Sequence, residues 1–471
     1  MPYQGEFADK TSHGDIVKDP EVIDFLSQCD FLRPPSEEEG KSIQTLFQEV
    51  SDLSSIQLPK KIFAFDGSNY TANISEQLPS TEIGYVKISS ILIDMEEFNS
   101  LGTESFVNPF DVSALQDKRD SLKFVLPGAN VRWKNHQSVQ DSFRAVLDQH
   151  LISSKTRFQR ERHVTSLRST LFHLAHRRPK EMGTENSTKL KVYKCPSCNY
   201  GEGKDSINIE IFDILDEQTC PNCKSIIYPS DCLRLSEEIE DFQSSSPVMA
   251  RFMQAVEHLL PIHYIRHLEE NSLANLGGIA FFVDRPLAVF GTAAWLHGAI
   301  MDYLHNVNQK LARIGKPPIL IIGLQKTGQI VDHINVINKY IKPNTIFSIP
   351  DEYRYRYITP PKKDASSGFG SETYYGQDFI YKTSSGRIFT FAIPYPFSSK
   401  EGGKKFHAQK VELSRYENLN KAMALINHFE CDLYENATIP IALAHRYTSI
   451  SLEPGGTALT LLAQSNLGTG K

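Results

Sequence analysis

No apolar stretch of this 471-residue chain is long enough to cross a membrane. The nearest, Leu276 to Met301, is broken by Asp284 and Arg285, where a span needs about 18 uninterrupted residues. Surplus positive charge is also missing. Fifty Lys and Arg stand against 56 Asp and Glu, a formal net charge of −6, which excludes a surface that coats nucleic acid everywhere. Cysteine is sparse and odd in number, at seven, and the first ten residues hold neither the basic nor the apolar region of an export signal. A disulfide framework is therefore not expected, and the expected location is cytoplasmic. Phosphate-loop chemistry is excluded too. Gly455-Gly456-Thr457-Ala458 and the closing Gly468-Thr469-Gly470-Lys471 do not sit between a strand and a helix as that motif requires.

What is present is the composition of an ordinary globular protein, 40% hydrophobic and 23% charged, in enough chain for one large elaborated domain or two to three smaller ones. Charge is uneven along it. Eleven Lys or Arg face three Glu between Lys155 and Lys194, among His163, His173 and His176. Ser138 to Arg178 lacks Pro and Gly and carries Val146, Leu151, Val164, Leu167, Leu171 and Leu174 at helical spacing, so the expectation is a basic helical region. Such a face is either solvated or a ridge that contacts phosphates.

Helices are also expected over Pro20–Cys29, Ser36–Leu53, Pro247–Glu270, Ala293–Ile314 and Leu419–Phe429. Strands are expected over Lys61–Phe65, Ile83–Asp94, Gly278–Val283, Pro318–Leu324, Phe379–Thr383, Arg387–Ile393 and Ile439–Ala442. Strands interleaved with helices predict a mixed α/β sheet. The resulting organisation is an N-terminal helical region (1–60), a first part of the core (61–135), a basic helical insertion (136–188), a cysteine-bearing ribbon (189–235) and a second part of the core (245–471).

Cys195-Pro196-Ser197-Cys198 and Cys220-Pro221-Asn222-Cys223 have the spacing of two zinc knuckles. Four thiolates close a tetrahedral site, which implies a structural Zn²⁺. Ile207 to Phe212 reads as a strand of the same ribbon. Cys29, Cys232 and Cys431 read as small core residues.

Two apolar strands run into aspartates, Ile62-Phe63-Ala64-Phe65-Asp66 and Ile279-Ala280-Phe281-Phe282-Val283-Asp284. Unalternating apolar strands are buried on both faces, and a carboxylate at their ends lies where ligands collect. Asp66-Gly67-Ser68 is equally the chemistry of a turn, so each aspartate alone is ambiguous. Together they would hold Mg²⁺ or Mn²⁺ with a further oxygen ligand. A helix packed back along a strand of about 20 Å needs about 13 residues, which favours Glu257 over Glu269 and Glu270. Lys326, in the loop after Ile319–Leu324, is placed to neutralise a phosphate, and His445 to ligate metal or move a proton. Asp332-His333 is a weaker candidate of the same kind.

In that order, Asp66-Gly67-Ser68, Asp284 with Pro286-Leu287, Lys326, and Ala444-His445 resemble the NurA nuclease family, over residues 60–100 and 245–450. The resemblance implies a ribonuclease H-like fold and a Mn²⁺-dependent DNA nuclease, exonucleolytic 5′ to 3′ and endonucleolytic on single strands. It further implies a homodimer docked on a HerA-type hexameric translocase, acting in DNA end processing or antiviral defence. By that analogy Asp66, Glu257, Asp284 and His445 hold the metal. The chain departs from the pattern at Arg285, where the family carries glycine, and in having no clear counterpart of the family tyrosine, for which Tyr434 is the nearest candidate. The alternatives are a catalytically inactive zinc-ribbon DNA-binding or adaptor subunit of a translocase complex, and a small-molecule phosphohydrolase.

Overall fold

The computed structural model describes residues 18–29, 33–100 apart from 76 and 79, 119–177 apart from 161, 162 and 176, 190–201, 207–209, 218–359, 368–431, 437–449 and 459–462. Tyr434, His176 and both glycine-rich C-terminal segments lie outside these residues.

Helices α1 (Pro20–Ser27) and α2 (Glu37–Gln44) come first, α2 closed by a capping box between Ser36 and Glu39. The helix expected over Ser36–Leu53 stops at Gln44, and the chain turns into the short edge strand β1 (Gln48–Glu49). β2 (Lys61–Asn73) and β3 (Glu82–Asp94) form a long antiparallel hairpin that β4 (Arg119–Pro127) extends. β2 is much longer than Lys61–Phe65, and this settles the ambiguity at Asp66. Asp66-Gly67-Ser68 is not a turn; it is strand, paired with Ser89, Ile88 and Lys87.

The basic region is not one helix. Helix α3 (Val139–Leu151) ends at a 3-10 turn, a hairpin follows from β5 (Arg157–Arg160) to β6 (His163–Ser166), and α4 (Leu167–Ala175) completes it. The β-branched and aromatic residues Thr156, Phe158, Val164 and Thr165 favour this interruption over a continuous helix. Three of its arginines are engaged by the protein itself. Arg168 meets Asp148, Arg177 meets Asp302, and Arg157 donates to the Ile152 carbonyl. A short pair, β7 (Leu190–Val192) with β8 (Ile207–Ile209), and a second, β9 (Gln218–Thr219) with β10 (Ile226–Ile227), carry the cysteine module.

Helix α5 (Ser246–Leu276) then leads into β11 (Ile279–Val283), α6 (Leu296–Arg313), β12 (Leu320–Gln325), α7 (Gln329–Ile337), β13 (Thr345–Ser348), β14 (Gly376–Lys382), β15 (Ile388–Pro394), α8 (Leu419–Phe429) and α9 (Ile439–Thr448). The last was expected as a strand from Ile439 to Ala442. Pro440 lies in its first turn, where a missing N–H is harmless, and Ile441 to Ala444 are all buried, so the helix is apolar all round at this point. Short apolar runs do not distinguish the two by periodicity.

The sheet has nine strands in the order β1-β13-β14-β15-β12-β11-β2-β3-β4. Strands β4, β3 and β2 are antiparallel neighbours, while β11 and β12 run parallel to β2. That is the ribonuclease H-like order, an antiparallel meander followed by two parallel strands, within the expected mixed α/β architecture. Along β11, Ile279, Phe281 and Val283 pack in the core under α5, and Ala280 and Phe282 in the core under α8 and α9. Burial on both faces explains the lack of polar alternation. The chain leaves this core and returns to it at one point. The Ala129 amide donates to Ser245 Oγ at 2.7 Å, and the Ser245 amide to Glu82 at 2.7 Å. No helix of the described residues is long and apolar enough to cross a membrane.

Candidate active site

Asp66 follows Phe65 on β2, so its side chain takes the face of Ala64 and Ile62, under α9. Asp284 follows Val283 and emerges on the same face, its amide bonded to the Phe65 carbonyl at 3.2 Å. Helix α9 is tied to the sheet by Ser89 Oγ, which donates to the Ala444 carbonyl at 2.9 Å. This brings His445 onto Asp66, Nδ1 to Oδ2 at 2.8 Å, and Thr448 Oγ1 donates to the same oxygen at 2.8 Å. One ligand atom each from Asp66, Asp284 and His445 lie within 4.8 Å of one another. Lys326, beyond the end of β12, forms an ion pair with Asp284.

Glu257 arrives from the other side of the sheet. It sits mid-way along α5, its side chain 1% exposed, and it passes β2 at Gly67, where a Cβ would collide with Oε1. Glycine at 67 therefore leaves the room that this carboxylate occupies against β2. Oε2 is paired with Arg285, while Oε1 is buried with no hydrogen-bond partner among the described residues. Glu269 instead accepts from Tyr303 and Lys310, and Glu270 from Arg266, all away from the aspartates. His333 is bonded to the Tyr353 hydroxyl in a separate buried cluster.

The site is short of positive charge. Burial pushes Glu257 up to about 8, and the Arg285 guanidinium only partly opposes this. Burial and the neighbouring Asp66 charge push Asp284 up to about 7 despite Lys326. Burial would raise Asp66 as well, but the hydrogen bonds from His445 and Thr448 and the Lys326 charge hold it below the ordinary carboxylate range. The bond to Asp66 raises His445. An orphaned buried carboxylate oxygen and two carboxyls raised by burial fit a site for a hard cation, and the O and N donors suit Mn²⁺ or Mg²⁺. Thr448 and Gly67 were not anticipated as parts of it. With 439–448 read as a helix, Thr448 falls one turn from His445; Gly67 carried no signal beyond its turn propensity.

The four cysteines also converge, their sulfurs within 4.8 Å. Cys195 and Cys223 are 3.7 Å apart, as are Cys198 and Cys220, close to the ~3.8 Å edge of a tetrahedron with bonds of about 2.3 Å. The two knuckles have the same construction. The amides of Cys195 and Cys220 bond the carbonyls of Tyr200 and Ser225, and Asn199 and Lys224 take positive φ of 58° and 63°. Burial pushes the Cys195 thiol up to about 11, and hydrogen bonds from Ser225 bring Cys223 down to about 6. Arg144 fastens the module to α3, gripping both Asp231 oxygens (2.8 and 2.7 Å), Asp141 (2.8 Å) and the Ile226 carbonyl (2.7 Å).

Residues 60–450 match the NurA domain family. No curated protein matches the sequence. Among solved structures, the NurA nuclease from Sulfolobus solfataricus is similar at 10% identity and a TM-score of 0.32, over 98% of this chain and 97% of that one. A NurA structure bound to dAMP and manganese is similar at 12% identity and a TM-score of 0.28, over 98% of each chain.

Proposed function

Since the chain belongs to the NurA domain family, we propose that it is a metal-dependent deoxyribonuclease whose Asp66, Glu257, Asp284 and His445 hold one or two Mn²⁺ or Mg²⁺ ions. The observation that carries this reading is the gathering of ligand atoms from Asp66, Asp284 and His445 within 4.8 Å, with the buried, unpartnered Oε1 of Glu257 under the charge of both aspartates. Such a metal supplies a Lewis acid that makes water a nucleophile at neutral pH and offsets charge on the phosphorane. The protein's own groups do the rest. Lys326 stands on Asp284 with 24% of its side chain exposed, so its ammonium is available to a phosphate oxygen. Thr448 fixes the Asp66 carboxylate, and Asp66 fixes the His445 ring by accepting from Nδ1, orienting the imidazole to hold a metal or move a proton.

A structural Zn²⁺ in the cysteine site belongs to the same proposal, as does a cytoplasmic homodimer working on single strands or duplex ends, 5′ to 3′, with a HerA-type hexameric translocase in end processing or defence. The family resemblance supports those finer points. Copurification with a translocase, then nuclease assay with and without ATP, tests them. The central test is Mn²⁺-dependent cleavage of single-stranded DNA by Asp66→Asn and Asp284→Asn, each with zinc and folding intact. Full activity in both would end the nuclease reading. The Arg285–Glu257 pair favours a second reading, an inactive zinc-ribbon adaptor. Tight Zn²⁺ binding with no Mn²⁺ site would support it.

A further inference from the structure

Arg285 is the one feature of the site that the proposed chemistry leaves unused. A two-metal phosphodiesterase needs ligands for two ions about 3.5–4 Å apart. The ligand atoms of Asp66, Asp284 and His445 gather around a single point, so a second ion would depend on Glu257. That carboxylate is divided. Oε1 is buried and free of hydrogen bonds among the described residues, whereas Oε2 is taken by Arg285 Nε.

Arg285 is held there by its backbone. It directly follows Asp284, whose amide continues the ladder to β2, and its own carbonyl lies so close to Gly323 of β12 that a Cβ there would clash. While the guanidinium holds Oε2, that oxygen is not offered to an ion. A second divalent ion on that oxygen would lie against a fixed positive charge. The side chain is 30% exposed, and the bond to Glu257 engages only Nε of its five-donor fork.

We infer that Arg285 takes the place of a second metal: the site binds one Mn²⁺, through Asp66, Asp284 and His445, and the guanidinium is the permanent second cation at the substrate phosphate. This rests on the nuclease reading of the same residues.

The test is the number and coupling of Mn²⁺ ions in the zinc-loaded full-length protein, by titration calorimetry and electron paramagnetic resonance. The expected result is one Mn²⁺ per chain with the resolved hyperfine pattern of an isolated ion, and two exchange-coupled ions per chain in Arg285→Ala. Arg285→Lys, which keeps the charge, should still take one. A coupled pair in the unaltered protein or in Arg285→Lys overturns the inference while leaving the nuclease reading standing. So does a single ion in Arg285→Ala that has kept its zinc and its melting behaviour. Mn²⁺ binding that is absent, or indifferent to Asp66→Asn, overturns both. Should Arg285→Ala not fold, the counts in the other two proteins decide.

Discussion

The cysteine site draws its four ligands from residues 195 to 223 and assembles them by repeating one local turn, with Asn199 and Lys224 in matching left-handed conformations. The carboxylate site draws on residues 66 to 445, and its members meet only because β2, β11, α5 and α9 pack as they do. The contrast extends to electrostatics. At the knuckles, backbone turns and Ser225 surround the sulfurs. At the aspartates, burial exceeds the compensation that Lys326 and Arg285 provide, leaving Asp284 at about 7 and Glu257 at about 8. A locally built site is laid out by its own turns; a site built by topology is laid out by the sheet, and holds unfavourable charge until a cation or a proton arrives.

The largest expected effect separates the two sites by activity. Asp284→Asn should lower Mn²⁺-dependent cleavage about 10³-fold or more, since it removes a ligand on which transition-state charge stabilisation depends. Zinc content, measured by atomic absorption, should not change. Zinc loss in this variant would show that the two sites are not independent.

Next in size is the converse. Cys220→Ser should lose the metal and lower stability by several kcal/mol, because structural zinc binding is itself folding free energy. Cys220 and Cys195 belong to the same packed core as α5, so the melt should show it. An unchanged melting temperature would sink the structural role.

A smaller effect has the opposite sign. In the folded protein Glu257 titrates near 8 against an ordinary 4.5. The native state therefore keeps a proton that the unfolded chain releases, and stability falls as pH rises from about 4.5 to about 8. Without Mn²⁺, Glu257→Gln should melt several degrees higher than the parent near pH 8, and the gap should close as pH falls towards 4.5. Melting curves across that range, with no gap anywhere, would contradict the charge deficit.

The mildest change is Gly67→Ala, whose methyl takes the room of Glu257 Oε1 against β2. Mn²⁺ affinity should weaken about tenfold, roughly 1.4 kcal/mol, while zinc is retained. Calorimetry that finds unaltered affinity would remove Gly67 from the site.

The same contrast explains what could be read in the sequence. The knuckles and the apolar strands of β2, β11 and β12 are written in adjacent residues, and the α/β sheet follows from them. Asp66 was ambiguous because Asp-Gly-Ser is turn chemistry, and its pairing along thirteen residues with β3 keeps it extended. The strand expected at Ile439–Ala442 and the helix expected across Ser138–Arg178 failed for a related reason: an apolar run has no fixed period until its neighbours select a face. Thr448, Gly67 and the Arg285–Glu257 pair are relations between distant segments, invisible until the sheet places them together.

The bond between Ala129 and Ser245 has a further meaning. With both mouths of the intervening segment pinned to each other, the sheet sees a closed detour whose length it does not register. Loop closure grows so slowly with length, about 0.6 kcal/mol per doubling, that the detour can be long or short at nearly equal expense. Ala129 and Ser245 thus fix where the segment leaves and rejoins the sheet, while Arg177 on Asp302 and the core shared by Cys195, Cys220 and α5 fasten its described parts to the rest.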